Sequence, residues 1–163
     1  MGAHQLTEIV LLDHRIQAVA EQIVDVQRAG YEVEARLTGY DGMPGLHQDV
    51  PTMMGLDLQI LGAVDDDRLL GVLGYRRHGH LVDVDRLAVH PDSFRRGVGT
   101  ALLDELHRRE ADASRIELMT STGNTPAISL YLRSGYVIVN RDDSGPVPVS
   151  HFARSGTAED LRG

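Results

Sequence analysis

Apolar residues recur along the chain with two periods, which predict an alternation of strands and helices. Residues 7–12 predict a first strand, and Asp13 follows as the N-cap of a helix. Apolar positions at helical spacing over residues 16–24 predict a helix that ends at Gly30, because glycine readily adopts the left-handed conformation of a helix C-terminus. Glycines and prolines interrupt residues 31–55, which are therefore predicted to form a loop with at most one short helix.

Short apolar runs bounded by turn residues predict six further strands, at residues 56–64, 69–77, 80–90, 115–120, 136–141 and 147–153. The acidic residues 65–67 form the turn of a hairpin. An amphipathic helix begins at Val98, where apolar residues start to recur four apart. Another helix begins with Thr125 as its N-cap and Pro126 at its first position, and it ends at Gly135.

The fourth strand, HLVDVDRLAVH, changes parity in its middle. Two valines alternate with two aspartates in its first half, whereas Leu87 and Val89 fall on the opposite parity. An extra residue near Asp85 and Arg86 would keep all four apolar residues on one face, so a β-bulge is predicted there. Burial of both faces of the strand after Arg86 is the alternative.

Composition narrows the class of protein. A chain of 163 residues suits one domain, predicted over residues 1–154 with a disordered tail over 155–163. The net charge of -8 argues against a nucleic-acid partner and weakly favours a cationic one. There is no cysteine, and the eight histidines form no recognisable constellation, so no metal is predicted. No membrane segment or signal peptide is recognisable, and a cytoplasmic location is expected.

The stretch RRGVGTALL joins two arginines and two glycines to the start of a helix. A helix N-terminus offers unpaired N–H groups and the positive end of the helix dipole, which together attract anions. Gly97 and Gly99 would allow a close approach, and Arg95 and Arg96 would add positive charge, so a phosphate site is predicted. Close packing of the glycines and a solvated arginine turn are the alternatives.

Two runs carry a resemblance to a known family. RLAVHPDSFRRGVGTALLDEL, residues 86–106, resembles the acyl-coenzyme A binding motif of the GNAT superfamily of N-acyltransferases, although Phe94 replaces the usual glutamine or arginine. NTPAISLYLRSGY, residues 124–136, is similar to a second segment of that superfamily. The resemblance implies an α/β (α+β) fold with a mixed, largely antiparallel sheet, splayed between its fourth and fifth strands and flanked by about four helices. Dimerisation is common in the fold, and nothing in the sequence decides it.

The resemblance also implies acetyl-CoA, or coenzyme A, as a co-substrate. The strand before the phosphate loop would pair with the pantetheine arm, and one of its backbone N–H groups could polarise the thioester carbonyl. The contacts implied in this way are Leu87, Ala88, Val89, Arg95, Arg96, Gly97, Val98, Gly99, Thr100, Asn124 and Tyr131. A helix-capping role is the alternative for Asn124.

The implied reaction is direct attack by an amine of a small molecule or peptide on the thioester, within a ternary complex. Tyr131 matches the family's general acid, with a core tyrosine as the alternative. Asp83 matches the position of a general base and Asp85 lies beside it, with a solvated strand face as the alternative; His80 and His90 are weaker candidates. The acceptor pocket would be built by the first helix, the segment after it and the final hairpin. The competing function is a coenzyme A-binding sensor or interaction module without turnover.

Overall fold

The computed structural model describes residues 7–156, which form a seven-stranded sheet with helices on both faces. The strands are β1 Glu8–Leu12, β2 Gln59–Asp65, β3 Arg68–His78, β4 Leu81–Val89, β5 Arg115–Ser121, β6 Val137–Asp142 and β7 Val149–Ser155. The helices are α1 Gln17–Thr38, α2 Pro44–His47, α3 Val50–Met54, α4 Val98–Arg109 and α5 Thr125–Arg133, with a 3-10 turn at Pro91–Ser93. The strand order is β1-β2-β3-β4-β5-β7-β6, and only the β4–β5 pair is parallel. The predicted mixed, largely antiparallel architecture is confirmed.

Two apolar layers hold the helices on the sheet. One lies beneath α4 and α5 and includes Leu102, Leu106 and Phe152. The other lies beneath α1 and α3 and includes Ile23 and Met53. Because β2 and β3 contribute to both layers, the centre of the sheet is apolar on both faces. No helix within residues 7–156 is long and apolar enough to cross a membrane.

Helix α1 continues eight residues past its predicted end. It runs through Gly30 and ends before Gly39, which adopts the left-handed conformation at φ 75°. Gly30 has a packing role, because a Cβ atom added there would lie 2.8 Å from the carbonyl oxygen of Val89 in β4. The glycine therefore allows α1 to approach the backbone of β4, and the prediction of a helix end at this position was wrong.

The segment predicted as a loop, residues 31–55, is largely helical. Its first eight residues complete α1, and two short helices, α2 and α3, follow. At the other end of the chain, Ser155 of the predicted tail belongs to β7, and the backbone N–H of Gly156 donates to the carbonyl oxygen of Ser114 at 2.9 Å. The rest of the predicted tail, residues 157–163, lies outside the described residues.

Two predicted helix caps are displaced. The N-cap of α1 is Ile16 rather than Asp13, whose carboxylate instead accepts from the backbone N–H of Arg15 in the turn before the helix. The N-cap of α5 is Asn124 rather than Thr125, and its side-chain oxygen accepts from the N–H of Ala127 at 3.4 Å. The longer reach of the asparagine side chain suits this bond, and Pro126 still lies in the first turn.

His107 of α4 lies half-buried against the ring of Tyr136. Its Nε2 atom is 2.8 Å from the Tyr136 hydroxyl, and burial, with a smaller contribution from the charge of Arg154, lowers its pKa to about 4. The folded protein therefore favours the neutral imidazole. In the unfolded chain the same group regains its ordinary pKa of 6.5.

The free energy of unfolding should decrease as the pH falls from 6.5 towards 4, because only the unfolded chain then binds a proton at His107. Above 6.5 the contribution is fully present. Urea denaturation at about pH 7 and about pH 5 should show the wild type losing about 2 kcal/mol more than His107→Gln, which has no imidazole to titrate. Equal losses in the two proteins would contradict this prediction.

Candidate active site

Strands β4 and β5 are joined only at their beginnings. Their parallel register covers three residue pairs, from Leu81 opposite Arg115 to Asp83 opposite Glu117. Beyond this point the strands diverge and leave a space between residues 84–89 and 118–121, here called the β4–β5 gap. The predicted splay between the fourth and fifth strands is confirmed.

The predicted bulge is also present. Gly74 lies opposite Arg86 and Tyr75 lies opposite Val84, which leaves Asp85 as the extra residue of β4. As a result Leu87 packs against the same apolar layer as Val84. The alternative of burial on both faces is also realised in part, because Ala88 packs in the layer beneath α1.

The bulge decides which backbone groups of β4 face the gap. The N–H of His90 donates to the carbonyl oxygen of Leu70 in β3 at 2.8 Å. Since backbone direction alternates along an antiparallel strand, Ala88 also faces β3, whereas Leu87 and Val89 present their N–H and C=O groups to the gap. Two of the three strand residues predicted to bind the cofactor therefore have backbone groups facing the gap.

The loop before α4 has the geometry of an anion site. Gly97 is the N-cap in the left-handed conformation at φ 75°, and the first helical bond runs from the N–H of Ala101 to its carbonyl oxygen. The preceding N–H groups have no hydrogen-bond acceptor within residues 7–156; they belong to Arg95, Gly97, Val98, Gly99 and Thr100. Together with the helix dipole, these donors can bind a phosphate oxygen.

The two glycines and two arginines of this loop have different roles. Gly99 lies where a Cβ atom would be 2.8 Å from Leu130 of α5, so it serves the close packing that was the alternative prediction. Arg96 forms an ion pair with Asp65 at 3.3 Å. Arg95, by contrast, makes no ion pair within the described chain, and its guanidinium is free to meet an anion.

Tyr131 lies in α5 and is 6% exposed. Its ring contacts those of Tyr136 and Phe152 edge to face, with centroids 6.1 and 5.4 Å away, as a core tyrosine would. Its hydroxyl nevertheless makes no hydrogen bond within residues 7–156, which is uncommon for a buried tyrosine. Burial raises the pKa of this hydroxyl, and the charge of Glu34 on α1 adds to the increase, so the group stays protonated.

Glu34 was missed by the sequence analysis. Its Oε1 atom accepts from the side-chain amide of Asn124 at 2.8 Å and from the hydroxyl of Thr120 at 3.4 Å. It thereby joins α1 to β5 and to the start of α5 beside the gap. Asn124 has the predicted capping role, and it also donates to Thr120 at 3.2 Å. The signal was hidden because residues beyond Gly30 were not expected to be helical.

A cavity of about 410 Å³ lies beside the point where β4 and β5 meet. Its lining combines carboxylates with apolar side chains, and consists of Asp83, Val84, Asp85, Glu117, Leu118, Met119, Val139, Asn140, His151 and Phe152. The structure thus brings the two predicted carboxylates together with a third, Glu117. Strands β4, β5, β6 and β7 all contribute, so the final hairpin forms part of the wall, whereas the first helix and residues 31–55, which were also expected to build the acceptor pocket, contribute no residue to this lining.

The carboxylates of this cavity differ in whether they form ion pairs with the protein. Asp85 is paired with Arg76 at 3.1 Å and with Arg86 at 2.7 Å, and Glu117 is paired with Arg115 at 2.7 Å. Asp83 has no hydrogen bond or ion pair within the described residues. Of the two candidate bases, Asp83 is the one whose lone pairs remain free.

The two histidines considered earlier lie outside this arrangement. His90 accepts from the N–H of Asp92 at 3.1 Å and so caps the 3-10 turn. His80 lies in the turn before β4, where its carbonyl oxygen accepts from the N–H of Ser114. Neither lines the cavity.

A curated protein and several solved structures are similar to this chain. UPF0157 protein YqkA of Bacillus subtilis (strain 168) is 37% identical over 128 residues, which is 78% of this chain and 37% of that protein. The chain therefore spans little more than a third of that relative. Among solved structures, the ribosomal-protein-S18-alanine N-acetyltransferase from Escherichia coli has a TM-score of 0.74 at 15% identity, covering 93% of this chain and 95% of its own.

A second solved structure is PaiA N-acetyltransferase from Thermoplasma acidophilum in complex with coenzyme A. It has a TM-score of 0.74 at 17% identity and covers 91% of this chain and 98% of its own. At these identities the two structures establish a shared fold. The family model for the acetyltransferase (GNAT) domain matches residues 57–138, which is half of the chain and includes the gap, the bulge and the loop before α4. The chain belongs to the GNAT acetyltransferase family.

Proposed function

We propose that the protein is an N-acetyltransferase that transfers an acetyl group from acetyl-CoA to a cationic primary amine of a small molecule or peptide. The observation that carries this proposal is the arrangement of the β4–β5 gap. The loop of free N–H groups lies beyond the open end of β4, and the carboxylate-lined cavity lies beside the closed end. The gap thus joins a site for phosphates to a site for an amine.

Coenzyme A suits the groups that surround the gap. Its pyrophosphate would bind the free N–H groups at the start of α4, with Arg95 supplying positive charge. Its pantetheine arm carries amides, and these would pair with the backbone groups of Leu87 and Val89, as a neighbouring strand would. PaiA, which shares the fold, is described in complex with coenzyme A.

The chemical step is attack by the amine nitrogen on the thioester carbonyl carbon. Asp83 first removes a proton from the bound ammonium group, and it is the neutral nitrogen that attacks; the N–H of Leu87 stabilises the negative charge that forms on the carbonyl oxygen. The carbon–sulfur bond then breaks, and the leaving thiolate takes a proton from the Tyr131 hydroxyl. The second proton that the nitrogen loses restores Tyr131 by way of water, and Asp83 releases its own proton to solvent. The amide and the free thiol leave the site, so the enzyme forms no covalent intermediate.

A cationic acceptor is favoured by the charges around Asp83. Asp83 lies opposite Glu117 in the β4–β5 register, so two carboxylates share the point where the strands meet. Glu117 is compensated by Arg115, whereas Asp83 is not compensated within the described chain. An ammonium group would supply the missing charge. The Escherichia coli enzyme with the same fold is named for acetylating an alanine of a ribosomal protein, which also presents an amine.

Isothermal calorimetry should detect acetyl-CoA binding with a Kd of about micromolar order. Gly97→Val should raise the Kd at least about tenfold, because a β-branched residue disfavours φ 75° and displaces the N–H groups of the loop. Gly79→Val is the matched control: it also has a positive φ, of 63°, and free space around the added Cβ, but it lies in the turn before β4.

A screen of primary amines, read by release of free thiol, should then identify an acceptor. No binding of acetyl-CoA by the wild type would refute the proposal as a whole. Binding without thiol release from any amine would favour the competing function, a coenzyme A-binding module without turnover. A Kd raised equally by the Gly79 and Gly97 substitutions would refute the role of the loop.

A further inference from the structure

A partly buried polar cluster joins β4 to α1 and to the segment between α2 and α3. We call it the Arg86 cluster; its members are Gln27 of α1, Gln48 just before α3, and Asp85 and Arg86 of β4. The side chain of Arg86 is 10% exposed, and Gln27 is fully buried. The mechanism above assigns no role to these groups.

The hydrogen bonds of the cluster determine a single arrangement. The Nη1 atom of Arg86 donates to Oε1 of Gln27 at 2.9 Å and to Oε1 of Gln48 at 2.6 Å, while Nε donates to Asp85 at 2.8 Å. The side-chain amide of Gln27 in turn donates to Oε1 of Gln48 at 3.3 Å. Because the guanidinium has donors only, both glutamines must point their oxygens towards it.

Burial of such a cluster costs desolvation free energy that its hydrogen bonds largely offset. Replacement of the whole cluster by well-packed apolar residues would therefore fold the protein about as well, whereas an apolar residue at Arg86 alone would leave the oxygens of Gln27 and Gln48 without that donor. What an apolar residue would not provide is a fixed distance between three separate elements. The guanidinium therefore contributes fixed relative positions of α1, β4 and the α2–α3 segment rather than folding stability.

The cluster reaches the amine end of the site through β4, since neither α1 nor residues 44–54 line the cavity themselves. Asp85, which the cluster holds, lines the cavity and is the extra residue of the bulge. Leu87, the next residue after Arg86, presents its N–H to the gap. Gln48 belongs to the connection between α2 and α3, where Leu46 and Met53 are buried on either side. A displacement of that segment would therefore act on the cavity through Gln48 and Arg86, which bonds the cavity-lining Asp85.

We propose that Arg86 is a positioning residue that fixes the α2–α3 segment, residues 44–54, against the β4 bulge and so sets the affinity for the acceptor amine. This inference rests on the proposed function. The phosphates of coenzyme A would bind the loop before α4, which makes no hydrogen bond to the Arg86 cluster, and the pantetheine arm would pair with the backbone of Leu87 and Val89, which the β3–β4 ladder holds in place. We therefore expect the Kd for acetyl-CoA to depend little on the Arg86 side chain.

The test uses Arg86→Lys, which keeps the charge but presents its donors from one nitrogen on a flexible stem, and so does not hold Asp85 and both glutamines at the positions that the planar guanidinium sets. Gln48→Ala removes only the contact of the α2–α3 segment and serves as a milder second variant. Arg68→Lys is the control. Arg68 is exposed, lies at the start of β3 and forms an ion pair with Asp92, outside the Arg86 cluster. Three quantities are measured for each protein: amide hydrogen exchange of residues 44–54, the Kd for acetyl-CoA, and KM and kcat for the acceptor found by screening.

Exchange in residues 44–54 and the acceptor KM should each increase about tenfold in Arg86→Lys and about threefold in Gln48→Ala. The Kd for acetyl-CoA should stay within about twofold and kcat within about threefold of the wild type, as in the control. Unchanged exchange or an unchanged acceptor KM in both variants would overturn the inference while leaving the proposed function intact. A loss of acetyl-CoA affinity that equals the rise in KM would assign Arg86 a general structural role and also overturn it. No turnover by the wild type would overturn both.

Discussion

Tyr131→Phe should lower kcat by about two to three orders of magnitude while leaving the Kd for acetyl-CoA unchanged. The hydroxyl lies in a buried site, and its proton is required only when the carbon–sulfur bond breaks. Burial keeps this hydroxyl protonated over the whole working range of pH, because it raises the pKa well above the usual value. Steady-state kinetics with the acceptor found by screening, together with calorimetry, would measure both quantities.

Tyr136→Phe provides the matched control for this variant. Tyr136 is also a buried tyrosine, but its hydroxyl bonds His107, so its removal should affect stability rather than turnover. Thermal unfolding should therefore show a greater loss for Tyr136→Phe than for Tyr131→Phe. If Tyr131→Phe instead lost stability and activity in proportion, the residue would be a core tyrosine without a part in the reaction.

Asp83→Asn should reduce kcat/KM most at low pH, by about 30-fold or more near pH 6.5. There the acceptor amine is protonated and needs a base, whereas near its own pKa enough of the neutral amine is present to react unaided. The loss should therefore shrink towards a fewfold effect as the pH approaches about 9.5. The measurement is kcat/KM against pH for the wild type and the variant with the same amine.

Asp85→Asn should have the smaller effect, because the Asp85 carboxylate is already bound by Arg76 and Arg86. Its change with pH should run parallel to that of the wild type. A pH-independent ratio between wild type and Asp83→Asn, or a larger effect at Asp85, would show that Asp83 does not accept the proton.

The order of strands and helices could be predicted because each depends on local periodicity. The bulge at Asp85 was predictable for the same reason, since a change of parity within one strand is visible in the sequence. The end of α1 was not. Gly30 packs against the backbone of Val89, which is 59 positions away in the sequence, and no residue near Gly30 indicates this contact.

The candidate site likewise contains some residues whose roles could be predicted from the sequence and others whose roles could not. Gly97 lies in a motif, so its place at the start of α4 was predictable, but the packing role of Gly99 depends on Leu130 in a different helix. Glu34 and the Arg86 cluster could not be found from the sequence, because the bonds that join Glu34 to Asn124, and Arg86 to Gln27 and Gln48, connect residues distant in the chain. The sequence identified the two motifs, and the fold alone reveals the polar contacts that hold them together.

Because β4 and β5 pair over only three residues, the two halves of the sheet are held together less firmly than the strands within each half. Three residue pairs connect a half formed by β1 to β4 with a half formed by β5 to β7, and the hydrogen-bonded ladder stops there. A ligand with backbone-like amides that lay in the gap beyond those pairs would form the hydrogen bonds that β4 and β5 do not form with each other there. The co-substrate would then act as an eighth strand and convert two loosely connected halves into one continuous sheet.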